Sequence, residues 1–326
     1  MKAIICTKYG SPEVLELRDV EKPKPNDNEV LVKIHATTVN RTDSALLRAK
    51  PFISRFFTGL FKPKKPIIGS EFAGEIVAVG NNVSLYKVGD KVYGFNESGF
   101  GAHAQYMCIL EGAALTIMPE NISYEQAAAS TEGAFYAYNF INKVSIKSGQ
   151  KILVNGATGG IGSAAVQLLS YYDVDITAVC GTNNLDLVKT LGANKVIDYT
   201  KEDFTRTDEK YNCIFDTVGK SSFAKCKPLL EPDGVYISSE LGDWSQNILF
   251  ALLTPVFGTK KVIFPMPTAC KGSILFTKNL IEKEKFNPVI DRKYPLEQIT
   301  EAYRYVEKGQ KIGNVVITVA HDDLTT

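Results

Sequence analysis

The chain is poor in histidine, in tryptophan and in net charge. With 3 His, 1 Trp and a formal charge of +1 over 326 residues, it lacks the basic excess that marks nucleic-acid binding. Its longest apolar stretch, around Ile248 to Phe257, falls well short of the roughly 20 residues of a membrane span. The opening Met1-Lys-Ala-Ile-Ile-Cys-Thr-Lys8 has too brief an apolar run for a secretory signal. Cys6, Cys108, Cys180, Cys213, Cys226 and Cys270 are scattered, without a C-x-x-C pair, and several lie in strand-like runs where cysteine acts as a small hydrophobe. No disulfide framework is indicated, so a reducing cytoplasm is expected. Internal repeats and low-complexity segments are also missing.

What the chain does have is Ile152-Leu-Val-Asn-Gly-Ala-Thr-Gly-Gly-Ile-Gly162. A short β-branched run enters a glycine-rich turn, and an apolar stripe at helical spacing follows (Ile161, Ala164, Ala165, Leu168, Leu169). Strand, turn and helix form the context of a dinucleotide fingerprint. In the register Ala157-x-Gly159-x-x-Gly162 an alanine stands for the first glycine. Gly159 lets backbone approach a pyrophosphate, Gly162 lets the helix pack on the strand, and the helix N-terminus faces the anion. An ordinary tight turn without ligand is the alternative that the motif alone leaves open. A second strand, Asp175–Cys180, leads to Gly181-Thr-Asn-Asn184 at the place of the ribose-reading residue. No acid stands among those four, and small hydroxyl and amide side chains suit a 2′-phosphate. This favours NADPH.

Residues 1–121 read as β-rich, with strands at Glu29–Thr37, Glu71–Val79, Lys91–Phe95 and His103–Ile109 bounded by turn residues. Pro51–Pro66 stands apart as apolar, aromatic and basic. It reads as a lid, a membrane-surface contact, or a loop packed on its own aromatics. From Ser123-Tyr-Glu-Gln, a capping box, the period becomes helical and continues to Ile141. Strands and helices then alternate. Strands are expected at Lys195–Tyr199, Asn212–Asp216, Val235–Ser239 and Lys261–Phe264, with helices at Asn184–Leu191, Ser221–Leu230 and Asn247–Leu253. Six strands with intervening helices make a doubly wound parallel sheet. A helix at Ser273–Lys285 follows, and a tail with helix Leu296–Lys308 and strand Asn314–Val319 is too long for a loose end.

This order resembles the medium-chain dehydrogenase/reductase superfamily, in its zinc-free, quinone-oxidoreductase-like (zeta-crystallin-like) branch. The residues that carry the resemblance are Thr38-Val-Asn-Arg-Thr-Asp43, Gly69-Ser-Glu-Phe-Ala-Gly-Glu-Ile-Val-Ala-Val-Gly80, Val88-Gly-Asp-Lys-Val92 and the glycine turn. Leu191-Gly-Ala-Asn-Lys-Val-Ile-Asp-Tyr199, Phe215-Asp-Thr-Val-Gly219 and Gly313-Asn-Val-Val-Ile317 extend it over almost the whole chain. It implies an α/β protein: a GroES-like β-rich catalytic domain over 1–121, an NADP-binding Rossmann domain with a six-stranded parallel sheet over 122–267, and a return segment over 268–326 that completes the catalytic domain. It also implies an active site in the cleft between the two domains.

In the superfamily's zinc alcohol dehydrogenases a Cys and a His stand where this chain has Asn40 and Ser70, and neither replacement is a normal zinc ligand. The four-cysteine zinc lobe is absent, and His35, His103 and His321 are far apart in sequence. Glu71 and Asp43 read as turn and ion-pair residues, and no metal is expected. Without a Lewis acid to hold an alkoxide, hydride goes to acceptors with their own electron sink, quinones and α,β-unsaturated carbonyls. By resemblance Asn40 lies near the nicotinamide, donating to ribose or to the substrate carbonyl, with a helix N-cap as its other role. Thr131, and Glu132 beside it, line that pocket. Thr158, Gly159, Gly160, Ile161 and Gly162 hold the pyrophosphate. Thr182, Asn183 and Tyr199 lie at the 2′-phosphate, Asp216, Val218 and Leu241 at the carboxyl ends of later strands, and Lys311 is a candidate cation. An enoyl-thioester reductase is an alternative, but Asp43-Ser-Ala-Leu-Leu47 lacks the tyrosine acid of such relatives; a non-catalytic, crystallin-like NADPH-binding protein is another. The strand Lys261–Phe264, rich in β-branched residues and ended by Pro265, is an edge suited to pairing in a homodimer.

Overall fold

Apolar alternation builds the first sheet around one long strand. The computed structural model describes residues 1–97, 99–242, 245–265, 268 and 270–321. A hairpin of β1 (Lys2–Cys6) and β2 (Leu15–Asp19) opens the chain. β3 (Glu29–Val39) follows, with Val30, Val32 and Ile34 turned into the core. Helix α1 (Arg41–Arg48) leaves its end directly, and a short helix α2 (Arg55–Thr58) lies in the next connection. β4 (Glu71–Val79) pairs antiparallel with β3, β5 (Lys91–Phe95) with β4, β6 (Tyr106–Leu110) with β3, and β7 (Leu115–Ile117) with β5.

Ser123 caps helix α3 (Tyr124–Ala129) through the expected box, its hydroxyl accepting from Gln126 N at 3.3 Å and Gln126 Oε1 accepting from Ser123 N at 3.0 Å. The helix does not run on to Ile141. It breaks at Ser130 and Thr131, whose hydroxyls bond back to the Gln126 and Ala128 carbonyls at 2.6 and 3.1 Å, a side-chain competition that interrupts helical pairing. Helix α4 (Glu132–Asn142) starts afresh after it.

β8 (Lys151–Asn155), α5 (Gly160–Ser170), β9 (Asp175–Cys180), α6 (Leu185–Thr190) and β10 (Lys195–Asp198) then alternate. β11 (Tyr211–Asp216), α7 (Phe223–Cys226), β12 (Leu230–Ser238), α8 (Gln246–Phe257) and β13 (Lys261–Ile263) complete the series. The six strands are all parallel in the order β10-β9-β8-β11-β12-β13. This is the doubly wound arrangement, whose order reverses between β8 and β11. Leu153, Val179, Ile214 and Tyr236 form its buried centre.

After α9 (Cys270–Glu282), the chain forms β14 (Ile290–Pro295), α10 (Ile299–Glu307) and β15 (Asn314–Thr318). β15 lies antiparallel to β3 and parallel to β14, so the tail rejoins the first sheet. Two compact units result: Met1–Thr131 with Ile274–Glu282 and Asn287–Thr326, and Glu132–Ser273 with Lys283–Phe286. The boundary expected at 267 falls on a residue outside those described. Among the described residues no helix is long and apolar enough to cross a membrane.

Candidate functional site

In the first unit a buried carboxylate gathers the polar groups. Glu71, the first residue of β4, is fully buried. Its Oε2 accepts from Asn40 Nδ2 at 2.5 Å and from the Thr38 hydroxyl, and its Oε1 from Thr131 Oγ1 at 2.7 Å. Thr37 holds the same residue by its main chain, donating to the Glu71 carbonyl at 2.6 Å. Glu71 is therefore not a turn residue but the hub of a network drawn from β3, β4 and the break before α4.

Asn40 and Asp43 form a capping-box arrangement at the start of α1, in which Asp43 Oδ2 accepts from the Asn40 backbone N–H at 2.8 Å while the Asn40 side chain makes no cap hydrogen bond of its own. The Asn40 amide nitrogen faces Glu71, with Thr38 Oγ1 and Asn314 Oδ1 each 3.4 Å away. The opposite orientation would set an amide oxygen against a carboxylate. The buried Oδ1 is left without a hydrogen-bond partner. The atom of Asn40 left over is thus an acceptor, whereas the family resemblance implies a donor.

Asp43 is also buried, with Oδ1 unpartnered. Burial pushes its carboxyl up to about 7; the Asn40 N–H opposes this, Glu71 adds to it, and Lys311 opposes it in turn. The Lys311 ammonium donates to the Gly313 carbonyl. Asn314 ties the cluster to neighbouring backbone, donating to the Ala129 and Val289 carbonyls at 3.2 Å each. His103 Nε2 meets the Thr38 carbonyl at 2.8 Å, and burial pushes its ring down to about 4, so it stays neutral. His35 and His321, distant in sequence, do meet: their rings lie 5.4 Å apart, with His35 stacked on Tyr124.

Zinc needs Cys, His or free carboxylate donors in a tetrahedron. The Glu71 corner supplies an amide, two threonine hydroxyls and a carboxylate with both oxygens already bonded. The described residues hold no group of three or more His, Cys, Asp or Glu suited to a metal. The residues do not fit zinc.

In the second unit the site is made of backbone. Gly156 has φ +79, and a Cβ there would lie 1.6 Å from Val218 Cγ1. The sharp turn is thus made at Gly156, one residue before Ala157, which is buried. A Cβ on Gly162 would lie 2.1 Å from the Gly156 carbonyl oxygen, so α5 packs directly on the turn. Gly159 is the N-cap of α5 without a side-chain cap, and a Cβ there would meet only the Gly156 oxygen at 3.6 Å. Thr158, Gly160 and Ile161, all half-buried, line this helix entrance. An uncapped N-terminus behind an open glycine suits an anion.

The turn stands at the reversal of strand order. Asn155 Nδ2, ending β8, donates to Asp216 Oδ1, ending β11, at 3.0 Å. Fully buried Asp216 also accepts from Gly219 N, Ser221 N and Tyr236 Oη at 3.0, 3.2 and 2.9 Å, which fixes the loop bearing Val218. Leu241, half-buried beyond β12, accepts from Asn247 N at 3.0 Å.

Past β9, Thr182 Oγ1 donates to Asp198 Oδ2 at 2.7 Å and pairs with Thr200 Oγ1 at 2.8 Å. Tyr199 is 63% exposed, and a Cβ on Gly181 would lie 3.3 Å from its hydroxyl. Asn183 is exposed. Sequence reading missed the acid here: Asp198, held at about 2 chiefly by the Thr182 bond, sits beside the expected 2′-phosphate position. It also missed the matching cation, Lys201, whose Nζ lies 3.6 Å from Asp198 Oδ2. Lys311 belongs to the first unit.

Residues 26–120 match the alcohol dehydrogenase GroES-like domain, and residues 191–317 match a family described as zinc-binding dehydrogenase. The chain is 33% identical to the 2-methylene-furan-3-one reductase of Solanum lycopersicum, over 97% of its own length and 79% of the relative's. The chain belongs to the medium-chain dehydrogenase/reductase superfamily. Within it, identity is 30% to the chloroplastic NADPH-dependent alkenal/one oxidoreductase of Arabidopsis thaliana (97% and 79% covered) and 30% to the quinone oxidoreductase of Homo sapiens (95% and 94% covered). The quinone oxidoreductase from Coxiella burnetii shares the fold, with TM-score 0.85 at 24% identity over 98% and 99% of the two chains. These relatives put the chain in the quinone-oxidoreductase-like branch of the superfamily, and the residues of its polar corner do not fit zinc, although residues 191–317 match a zinc-binding dehydrogenase family.

Proposed function

We propose that the protein is an NADPH-dependent oxidoreductase that reduces quinones or α,β-unsaturated carbonyls without a metal. The relatives' names point to this chemistry, and the Glu71 corner is the observation that carries it. With the Asn40 amide nitrogen turned to Glu71 and both Glu71 oxygens taken, the Asn40–Glu71 pair offers no free donor or Lewis acid to an alkoxide. Reduction then favours acceptors whose product anion is already delocalised.

Bound NADPH supplies the hydride. Thr158, Gly159, Gly160, Ile161 and Gly162 hold its diphosphate at the α5 entrance, with Val218 packed over Gly156 and Leu241 beyond β12 flanking that end. Thr182, Asn183 and Tyr199 receive the phosphorylated ribose, with Lys201 offsetting Asp198. Asn40 Oδ1 accepts from a ligand hydroxyl, and Thr131 keeps Glu71 in place. Lys311 contributes positive charge beside Asp43. The two units correspond to a GroES-like catalytic domain and an NADP-binding domain.

A homodimer is part of the same proposal. β13 ends the sheet order, and α8 exposes Leu249, Leu252 and Val256 at 54%, 70% and 71%, an unpaired edge beside an apolar face. A light-scattering mass of one chain at micromolar concentration would refute it. No disulfide joins the six cysteines among the described residues, which supports a reducing compartment, the cytoplasm.

The assay compares a benzoquinone, an enone and a primary alcohol under one set of conditions, with NADPH for the first two and NADP+ for the third. The quinone and enone should turn over and the alcohol should be nearly inert. A preference for the alcohol rules out the proposal.

A further inference from the structure

One surface segment has a composition that the hydride chemistry does not use. Between Ser44 and Ser70 there is no Asp or Glu, but there are 6 Lys and Arg residues. The chain as a whole carries only +1, so this is a local field. In its middle, Phe52, Phe56, Leu60 and Phe61 are 62%, 64%, 45% and 87% exposed. Phe61 is the most exposed of the large hydrophobic residues described.

The segment has a built shape. Tyr9 Oη pairs with Thr58 Oγ1 and donates to the Gly59 carbonyl, both at 2.7 Å, and Lys64 N donates to the Thr58 carbonyl at 2.8 Å. The Arg55 guanidinium lies 5.0 Å over the Tyr9 ring and 5.2 Å over the Phe52 ring. These contacts fix the base while the phenylalanines stay in water. Lys50, Lys62, Lys64 and Lys65 are exposed around them, and among the described residues no carboxylate pairs with any of the four.

We propose that this segment, Lys50 to Lys65, is a docking face for an anionic lipid bilayer. Lysine ammonium groups sit at the level of anionic headgroups, and aromatic and leucyl side chains enter the boundary with the acyl chains. The interleaving of both within one segment selects a bilayer. An acidic protein or a nucleic acid would engage the lysines and leave four large apolar side chains in water. With no membrane-spanning helix among the described residues, the association is peripheral, reversible and weakened by salt. It does not depend on which acceptor the enzyme reduces.

The test is flotation of the full chain with two kinds of vesicle: phosphatidylcholine alone, and phosphatidylcholine with about one third phosphatidylserine. The protein should float with the anionic vesicles, stay behind with the neutral ones, and be released as salt rises. Lys62→Gln with Lys64→Gln and Lys65→Gln should lower partition on the order of 100-fold, roughly fivefold for each lysine removed. Phe56→Ser with Phe61→Ser should lower it by roughly tenfold or more. The lysine variant changes only exposed side chains and keeps the test decisive if the phenylalanine variant fails to fold. Failure to float with anionic vesicles overturns the proposal, as does flotation that neither variant weakens. So does an oligomer that the phenylalanine variant dissociates while the wild type ignores lipid, since the face would then join two copies of the chain.

Discussion

The two units carry sites of opposite construction. In the second, the glycine turn offers backbone: Gly156, Gly159 and Gly162 clear space, and the N-terminus of α5 stands uncapped behind them. In the first, the corner around Glu71 offers side chains, and both Glu71 oxygens already serve neighbours. A backbone site tolerates any side chain that leaves the space open. A saturated side-chain site has its polarity set by one member, because the partners of Glu71 decide which atom of Asn40 is left over. On the proposed function, the contrast separates what would recognise the cofactor from what would limit the chemistry.

Filling the space should do the most damage. Gly162→Ala puts a Cβ against the Gly156 carbonyl and must push α5 off the turn. Dinucleotide affinity should fall on the order of 100-fold, with stability lowered by roughly 2 kcal/mol. Fluorescence titration and thermal melting read the two effects, and normal NADPH binding by this variant would break the backbone half of the comparison.

Turning the polarity of the corner should come next. Glu71→Gln swaps one acceptor oxygen for a donor, so the Asn40 amide should rotate and present N–H where Oδ1 stood. Turnover should drop roughly 10- to 100-fold, at or below the low end of losing one oriented group, and Asn40→Ala should do the same. Because both act on one atom, the double variant should be little worse than either single one. Additive losses in the cycle, or wild-type turnover of Glu71→Gln, would show that Glu71 does not position Asn40.

The smallest effect belongs to the one part of the second unit that relies on side chains. Lys201→Ala removes the cation facing Asp198 and should narrow the preference for NADPH over NADH by roughly two- to fivefold. Tyr199→Phe should erode it further if the hydroxyl above Gly181 contacts the phosphate. Unchanged relative affinities in both variants would move the 2′-phosphate elsewhere.

Legibility from sequence follows the same divide. β4, β5 and β9 have the bounds that their residue types suggest, and glycine punctuation marks the nucleotide turn. β1, β2, β7 and β14 escaped: β2 buries only Leu15, and β14 shows no clean alternation, so neither carries a period to read. The corner was half visible. Asn40 stands out by family resemblance, but the hub reads as a turn or ion-pair residue, since its donors lie 31, 33 and 60 residues away along the chain. The break before α4 was hidden for the same reason, because the Thr131 hydroxyl serves distant Glu71 as well as the Ala128 carbonyl. Asp198 and Lys201 sit on and just beyond the following strand, outside the four residues where an acid or a cation is usually sought.

The route of the chain has a consequence for the order in which the protein is made. The second unit is spliced into the first, and the strand that rejoins β3 begins only at Asn314. On a ribosome the nucleotide-binding sheet can close as soon as β13 has emerged, whereas the first sheet waits for nearly the entire chain. The 3.4 Å approach of Asn40 to Asn314 spans 274 positions, a contact that local folding cannot make early. A nascent chain released before residue 314 would therefore own a complete dinucleotide cradle and an unfinished polar corner, able to hold a cofactor before its chemistry is in place.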